Sequence, residues 1–359
     1  REPQGSERPG AIELITARGD VEHGAAPEQV LMMRWTAALT GSTSGTLRLW
    51  DLTGRDEEPL VSPEGHAASV TCVSVDWESK RAVTGSADRA LRSWDLDELE
   101  CIGTLQGHDG WIWSVDVDWQ GGSGVVSASD DRTLRLWSMS AFCLLPAAVL
   151  RQVEADADQA SSDATCVQCE KSMAVQGGWA MHVVVNWNLQ QALCACSNRT
   201  LELWDLQTGS QAAVLSGHAS AVKCVGVDWG RRQALSGSSD GAIKLWNLRT
   251  AECLLTLDGH TEPVRCLAFD PKSQRALSGS EDCLLKLWDT TSGQCIVTLN
   301  GHADSIECMR VDWAGQTVIS GSRDGELKVW SLSLRTCSST FQHVTGVASC
   351  DAGYLCRDV

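Results

Sequence analysis

The chain has 359 residues, a formal net charge of −17 and 43% hydrophobic residues, a composition that can supply a sizeable folded core. The acidity argues against a nucleic-acid binder, because phosphate contacts require clustered Lys and Arg. No apolar run approaches the roughly 20 residues of a membrane-spanning helix. The aromatic composition is unusual, with 16 Trp beside 3 Phe and 1 Tyr. Internal repetition would explain such an excess of one residue type.

In chain order, seven Trp each end a short alternating apolar stretch of the type LRLW or IKLW. They are Trp50, Trp94, Trp137, Trp204, Trp246, Trp288 and Trp330. Successive members lie 42 to 44 residues apart, except for a step of 67 residues between Trp137 and Trp204. A period of about 40–45 residues is typical of one four-stranded β-propeller blade. The long step therefore indicates one period plus an insertion, which we place at about residues 151–175.

Two other residues recur in phase with these Trp. A Gly-His pair precedes five of them by 28 or 29 residues, at His66, His108, His218, His260 and His302. An Asp lies six residues before the same five, at Asp88, Asp131, Asp240, Asp282 and Asp324. Each unit has the pattern of four short strands separated by turns rich in Gly, Asp and Asn. In the fifth unit the strands are predicted at 222–228, 233–238, 242–248 and 253–257.

These in-phase signatures, at roughly residues 30–342, resemble the WD-repeat (WD40) β-propeller family. The resemblance implies an all-β, seven-bladed β-propeller of four-stranded antiparallel blades, with an eighth, truncated blade as the alternative. It also implies that the His, a strand Ser or Thr, the Asp and the Trp of a repeat form a hydrogen-bonded structural tetrad. In the fifth repeat, His218, Asp240 and Trp246 would join either Ser236 or Ser238. The other four tetrads would contain His66, Asp88 and Trp94; His108, Asp131 and Trp137; His260, Asp282 and Trp288; and His302, Asp324 and Trp330.

Two repeats depart from this pattern, and the ring can close in more than one way. The first repeat lacks a clear Gly-His pair and has Ser44 at the Asp position, and the fourth has Val175-Gln176 and Asn198 instead. The last blade can take its fourth strand from residues 335–342 or from residues 11–17, whereas residues 343–351 resemble the start of another repeat. We therefore expect an N-terminal segment at 1–29 that can supply a closing strand, a propeller at 30–342, and a tail or truncated repeat at 343–359.

Catalytic signatures are absent, so we expect a non-enzymatic protein with no cofactor and no metal site. His182 falls in the first strand of the fourth blade, where other repeats have Cys or Ser, and we expect a hydrogen-bonded core histidine. Most of the 16 Cys are repeat-locked, which means that they recur at the same position in several repeats. Cys72, Cys224, Cys266 and Cys308 share a first-strand position, and Cys101, Cys143, Cys253, Cys295 and Cys337 share the start of the fourth strand. Unpaired thiols favour a reducing compartment. The lone C-x-x-C of Cys166 and Cys169 lacks further metal ligands nearby.

The Trp residues fall into two groups. Besides the seven above, six end the first strands: Trp35, Trp77, Trp119, Trp187, Trp229 and Trp313. The remaining three are Trp111, Trp113 and Trp179. Trp111 and Trp179 share one position in the loops that lead into blades 3 and 4. We call the face with these loops, and with the turns between second and third strands, the top face. Since Trp is enriched among binding anchors, this pair predicts a partner site.

The alternative for the tryptophan pair is packing beneath the 151–175 insertion. We expect this insertion to lie between blades 3 and 4 and to emerge on the top face. Its acidic segment, residues 154–163, is either an ordinary surface excursion or a functional loop.

A second candidate surface is basic. Arg89, Arg132 and Arg199 follow the Asp or Asn turn position, Arg323 precedes it, and Lys223 and Arg265 share the second position of their first strands. The family resemblance implies that Arg at such positions reaches the central mouth in members that bind acidic or phosphorylated peptides. Arg suits carboxylate and phosphate. The alternative is internal ion pairing, because Asp130, Glu281 and Glu307 stand at equivalent positions.

Together these features predict a non-catalytic scaffold or adaptor that binds protein or peptide partners as a subunit of a larger complex. Two alternatives remain: a substrate receptor of the ubiquitin-ligase type that binds acidic or phosphorylated peptides, and a regulatory propeller within a larger protein. We expect neither a nucleic-acid nor a membrane partner. The expected location is the cytoplasm, with the nucleus as the alternative.

Overall fold

The computed structural model describes residues 36–52, 58–62, 65–121, 124–138, 169–343 and 346–353. These residues form 28 β-strands and no α-helix. The alternating apolar stretches become strands because side chains with a period of two line one face of a sheet. Within these ranges, no helix has the length and apolarity needed to cross a membrane.

The strands pair antiparallel into seven four-stranded sheets, each of which is one blade. Blade 1 contains β1 (Ala37–Ser42), β2 (Leu47–Asp51), β3 (Leu60–Val61) and, at its inner edge, β28 (Val347–Gly353). Blade 2 contains β4 (Val70–Asp76), β5 (Arg81–Ser86), β6 (Leu91–Asp95) and β7 (Glu100–Leu105). Blade 3 contains β8 (Ile112–Val117), β9 (Gly124–Ser129), β10 (Thr133–Ser138) and β11 (Cys169–Ala174).

The remaining four blades follow in chain order. Blade 4 contains β12 (Ala180–Asn186), β13 (Gln191–Cys196), β14 (Thr200–Asp205) and β15 (Ser210–Ser216). Blade 5 contains β16 (Val222–Asp228), β17 (Gln233–Ser238), β18 (Ile243–Asn247) and β19 (Glu252–Leu257). Blade 6 contains β20 (Val264–Asp270), β21 (Arg275–Ser280), β22 (Leu284–Asp289) and β23 (Cys295–Asn300). Blade 7 contains β24 (Ile306–Asp312), β25 (Thr317–Ser322), β26 (Glu326–Ser331) and β27 (Thr336–Gln342). The predicted seven-bladed β-propeller is thereby confirmed.

The hydrophobic core is divided into seven clusters, each of which lies between two neighbouring blades. Trp246 of blade 5, for example, is 1% exposed and packs in one cluster with Leu193 and Leu203 of blade 4. Burial of a Trp side chain removes about 200 Å² from water and stabilises the fold by roughly 5 kcal/mol. Each blade therefore depends on its neighbours, because one sheet alone cannot cover its own two faces.

Five blades contain the complete structural tetrad. In blade 5, His218 Nδ1–H donates to Asp240 Oδ2 at 3.2 Å, His218 Nε2 lies 2.7 Å from Ser236 Oγ, and Trp246 Nε1–H donates to Ser236 Oγ at 2.7 Å. The tetrad hydroxyl is therefore that of Ser236. Ser238 instead donates to the Ser220 carbonyl and accepts the Asp240 amide. The equivalent hydroxyls in the other four tetrads are those of Thr84, Ser127, Ser278 and Ser320.

Ring closure brings the two ends of the propeller together. β27 supplies the fourth strand of blade 7, and β28 pairs antiparallel with β1 as the inner strand of blade 1. His343 lies with its ring centroid 6.1 Å from that of Trp50, which donates to Thr40 Oγ1 at 2.8 Å. In the five complete tetrads the His–Trp centroid distance is 5.8 to 6.2 Å. The missing His of the first repeat is therefore supplied by the last one.

This closure corrects two sequence-based expectations. Residues 343–351 do not begin an eighth blade, because β28 completes blade 1. The first strand of blade 1 is therefore not one that ends at Trp35. Trp35 and the alternative closing segment at 11–17 lie outside the described residues.

Asp351 ties the closing strand to both neighbouring blades. Its carboxylate accepts the Val75 amide of blade 2 at 3.2 Å and pairs with Arg310 Nε of blade 7 at 3.3 Å. Ser349 Oγ also donates to the Val70 carbonyl at 3.2 Å. Side-chain contacts thus supplement the backbone pairing of β28 with β1.

The insertion lies elsewhere than predicted. β10 ends at Ser138, and its partner β11 begins at Cys169, so the connection falls between the third and fourth strands of blade 3 rather than between blades 3 and 4. Its two ends lie on the face opposite the top face, since connections between third and fourth strands belong to that face. Cys169 stands opposite Trp137, in the fourth-strand position that the sequence pattern predicts for Cys143. Cys143 and Cys166 lie outside the described residues.

Candidate functional site on the top face

Trp111 and Trp179 occupy equivalent positions on the top face, as their spacing predicted. The Trp111 carbonyl accepts the Asp130 amide at 3.0 Å, and the Trp179 carbonyl accepts the Ser197 amide at 2.9 Å. The same bond joins the loop to the second-to-third-strand turn in the other blades, as from Ser239 to the Ala221 carbonyl at 2.8 Å. These bonds hold both loops in place, so the pair stands on a rigid frame.

Both indoles project from this frame, and each is 49% exposed. A glycine before each Trp lets its loop approach the neighbouring turn closely, because glycine has no Cβ. A Cβ at Gly110 would collide with the Asp130 carboxylate, and one at Gly178 would lie 2.7 Å from the Asn198 amide nitrogen. The side chains that follow these glycines are therefore directed outward. The large apolar side chains that are exposed among the described residues include only two aromatic ones, Trp111 and Trp179.

The repeat-locked Trp residues behave differently. All seven third-strand Trp are at most 6% exposed. Trp77, Trp119, Trp187, Trp229 and Trp313 are partly buried against the clusters between blades. The division of the Trp residues into packing and surface groups thus agrees with the sequence pattern. The described ends of the insertion, Ser138 and Cys169, lie on the opposite face, and the residues that would cover the tryptophan pair lie outside the described residues.

Trp113 connects Trp111 with the centre of the ring. It follows Ile112 at the start of β8, and its ring centroid lies 5.5 Å from that of Trp111. Trp113 also lines a central cavity of about 410 Å³ that is bounded by the first strands of the blades. Trp111 and Trp113 therefore form an aromatic contact between the top of blade 3 and the central cavity.

Three predicted basic residues lie at this mouth and face nearby acids. Arg265 pairs with Glu281 at 2.7 Å and with Glu307 at 3.7 Å, and Arg323 pairs with Glu307 at 2.7 Å. Burial, followed by repulsion from Arg265, lowers the pKa of Lys223. Internal ion pairing, the alternative stated above, therefore describes Arg265 and Arg323. Arg89, Arg132 and Arg199 lie apart from this group, exposed on the turns of blades 2, 3 and 4.

His182 is not the hydrogen-bonded core histidine that we predicted. It lines the central cavity, and its buried Nδ1 has no hydrogen-bond partner among the described residues. Burial lowers the pKa of His182 to about 4, so the ring is neutral near pH 7. The neighbouring β13 has Ala195 where blades 1, 2, 5, 6 and 7 have the Gly of a Gly-Ser pair and blade 3 has Ala128.

The first-strand cysteines have a steric role that the sequence phase did not reveal. A Cβ at Gly85 would lie 2.7 Å from Cys72 Sγ, and one at Gly237 would lie 2.7 Å from Cys224 Sγ. Each thiol thus covers a glycine of the next strand. Burial raises the pKa of both thiols to about 12, so they remain protonated. The thirteen cysteines within the described ranges are all free.

One cluster has the composition of a cation site. Ligand-type atoms of His302, Asp324 and Glu326 lie within 4.8 Å of one another. His302 and Asp324 belong to the blade 7 tetrad, and Glu326 pairs with Lys328 at 2.7 Å. These contacts account for the cluster as part of the repeat.

Comparison with known families agrees with the repeat pattern. The family model "WD domain, G-beta repeat" matches residues 57–95, 99–138, 209–247, 251–289 and 293–331. These five segments end in the third strands of blades 2, 3, 5, 6 and 7, which are the blades with a complete tetrad. Together they cover more than half of the chain.

Several curated proteins are similar to part of the chain. Mitochondrial division protein 1 of Candida glabrata is 25% identical over 202 residues, which are 52% of this chain and 27% of that protein. Its Saccharomyces cerevisiae counterpart is 24% identical over 209 residues, or 52% and 28%. Nuclear distribution protein PAC1 of Arthroderma otae is 33% identical over 122 residues, or 28% and 26%. The chain thus spans 26% to 28% of the length of these relatives.

Proposed function

The chain belongs to the WD domain, G-beta repeat family, whose propellers typically act as protein-interaction scaffolds, and from this premise we propose that it is an adaptor that binds a protein partner through Trp111 and Trp179. The supporting observation is the exposure of two Trp at one repeat position in adjacent blades. An indole offers a large, rigid contact area, and Trp is enriched among the residues that dominate interface energetics. Unlike the repeat-locked Trp, neither of these two is required by blade packing.

Charge supports a protein partner rather than a nucleic acid. The net charge is −17, and two of the basic residues at the cavity mouth are neutralised by Glu281 and Glu307. A polyanion would therefore meet little continuous positive surface there. The chain matches only 26% to 28% of the length of the mitochondrial division and nuclear distribution proteins. The partners of those proteins are therefore not assigned to this chain.

The test is affinity capture with the double variant Trp111→Ala and Trp179→Ala. Truncation of one anchor is expected to cost about 2 kcal/mol, or roughly 30-fold in affinity, so partners that depend on the pair should be lost. A matched control removes equally exposed apolar side chains elsewhere: Leu254→Ala and Leu334→Ala, which are 48% and 49% exposed on the outer rim and the opposite face.

The captured sets should be compared by quantitative mass spectrometry, and circular dichroism should show that all variants keep the β-fold. Proteins that are lost with the Trp variant but kept with the Leu variant would support the proposal. If the same proteins are captured by the wild type and the Trp variant at equal yield, the tryptophan pair is not the binding site.

The cysteines support a reducing location such as the cytoplasm. Free thiols at thirteen positions are typical of compartments that keep thiols reduced. Alkylation of the protein in cell lysates before and after treatment with a reductant should give the same labelling pattern. New labelling after reduction would contradict this placement.

A further inference from the structure

Three arginines occupy one turn position in three consecutive blades. Arg89, Arg132 and Arg199 each follow the turn Asp or Asn, and their φ angles are 73°, 66° and 74°. The same position is Gly45, Gly241 and Gly325 in blades 1, 5 and 7, with φ angles of 79° to 90°. This left-handed conformation suits glycine and is unfavourable for a side chain with a Cβ. Local backbone geometry therefore does not account for the arginines.

The three side chains are also exposed and unpaired. Within the described ranges none of them forms an ion pair with a carboxylate, although the charge of Arg89 acts on the pKa of the nearby Asp130. Arg265 and Arg323, in blades 6 and 7, are instead paired with Glu281 and Glu307. The top face is thus divided into a neutralised half and a half in which the guanidinium groups keep their hydrogen-bond donors free.

The acids near the triad are mostly engaged by their own loops. Asp88 accepts the Ala67 and Ala90 amides and the His66 ring. Asp131 is held in the same way in blade 3. Burial raises the pKa of Asp130, although the Arg89 charge acts against that rise.

Two features set the local charge balance. Blade 4 has the neutral Asn198 instead of the turn Asp, so Arg199 has no acidic neighbour in its own turn. The exposed acid on these loops is Asp109.

We propose that the top face of blades 2 to 4 binds an acidic peptide segment of the partner, with its anionic groups on Arg89, Arg132 and Arg199 and an apolar anchor on the tryptophan pair. This inference rests on the proposed function and adds the chemical class of the ligand. Guanidinium groups bind carboxylate or phosphate oxygens in a forked geometry. Trp111 and Trp179 lie in blades 3 and 4, so the charged and apolar contacts share one surface.

The overall charge of −17 does not prevent this binding. Ionic screening limits exposed charges to a range of about 8 Å at physiological salt, so an acidic side chain responds mainly to the nearest guanidinium groups. Local attraction makes binding weaken as salt is added, whereas repulsion by the whole protein would make it strengthen. The sign of the salt dependence therefore distinguishes the two.

The structure supplies a substitution that separates binding from stability. Arg89→Gly, Arg132→Gly and Arg199→Gly introduce the residue that blades 1, 5 and 7 already have at this position, so the fold should be kept. The matched control is Arg335→Gly. Arg335 is also exposed and has a φ angle of 59°, but it lies in the turn between β26 and β27 on the opposite face.

The experiment is a selection of short random peptides, displayed on phage, on the wild type, the triple Gly variant, the Arg335→Gly control and the double Trp variant. We expect the wild-type pool to be enriched in Asp and Glu over the starting library, and the control pool to be enriched equally. The selected peptides should bind the triple variant at least about tenfold more weakly. Their affinity for the wild type should fall as salt is raised.

The outcomes separate the two proposals. Three results would overturn the arginine proposal alone, each for peptides that require the tryptophans. The peptides show no excess of Asp and Glu, they bind the triple Gly variant as well as the wild type, or they bind better at high salt. If no peptide that depends on the tryptophans is selected, the proposed site itself fails. Synthetic peptides in which phosphoserine replaces the selected Glu then show which anion the triad prefers.

Discussion

Removal of the Ser236 hydroxyl would isolate the energetic role of one tetrad. The carboxylate of Asp240 can only accept, so His218 Nδ1 carries the proton and Nε2 accepts the Ser236 O–H. Ser236 Oγ in turn accepts the Trp246 indole N–H, and both bonds measure 2.7 Å. Ser236 is fully buried, so water cannot replace either bond. The substitution Ser236→Ala therefore leaves one donor and one acceptor unsatisfied in the core.

The magnitude follows from these two groups. A buried polar group that loses its partner costs about 1–3 kcal/mol, so Ser236→Ala should lower the free energy of unfolding by about 3 kcal/mol. In a chain of this size that corresponds to a melting temperature lower by about 5 °C. Urea unfolding, followed by far-ultraviolet circular dichroism, measures the change directly.

Ser236→Thr is the matched control, because Thr84 makes the same two contacts in blade 2 at 2.7 and 2.8 Å. It should change the stability by less than about 1 kcal/mol. If Ser236→Ala is equally mild, the tetrad hydrogen bonds contribute little to stability. If Ser236→Thr is as damaging as Ser236→Ala, the loss reflects packing around residue 236 rather than the hydroxyl.

Three further predictions concern ring closure, pH and thiol reactivity. Asp351→Ala should lower the free energy of unfolding in urea by about 2 kcal/mol, because the Asp351 carboxylate also accepts a backbone amide. Arg310→Ala should lower it by under about 1 kcal/mol, because Arg310 is 58% exposed. Equal losses would contradict this account of closure. His182 has a pKa of about 4 in the folded state, below its unfolded value of 6.5, so its contribution to stability is present above pH 6.5 and is lost as the pH falls. His182→Ser should therefore reduce the loss of stability between pH 6.5 and pH 5 by about 2 kcal/mol, and an unchanged pH profile would refute the assignment. Iodoacetamide should modify the exposed Cys295 well before the buried Cys224, as measured by mass spectrometry over time, and equal rates would contradict the assigned burial.

The repeat-level features could be predicted because they recur at a fixed period. Seven in-phase Trp, five Gly-His pairs and five Asp define the blade, and the phase alone separates Trp246 from Trp111. The tetrad partner in the fifth blade remained open between Ser236 and Ser238, because both lie on one strand face two residues apart. Only the three-dimensional arrangement shows that the Ser236 hydroxyl lies between the imidazole and the indole.

The insertion shows how phase can mislead. The number of extra residues is the same wherever in a repeat they are inserted, and the phase of the cysteines predicts that the fourth strand begins at Cys143. The pairing of Cys169 with Trp137 instead places the extra residues before that strand. Because successive connections of an antiparallel blade alternate between faces, a shift by one connection moves the insertion from the top face to the opposite one. The described ends of the insertion, Ser138 and Cys169, therefore lie on the face opposite the tryptophan pair.

The sequence by itself determined the blade and the residues that are not needed to build it, whereas it left seven and eight blades as alternatives. Those properties follow from local pattern, since strand periodicity, turn residues and the tetrad positions lie within a single period. Tertiary structure decided which ends meet, which acids neutralise which arginines and what lies beside His182. These depend on contacts between residues far apart in the chain, such as His343 with Trp50 or Arg310 with Asp351. Closure of the ring creates those contacts, and a repeat read alone does not contain them.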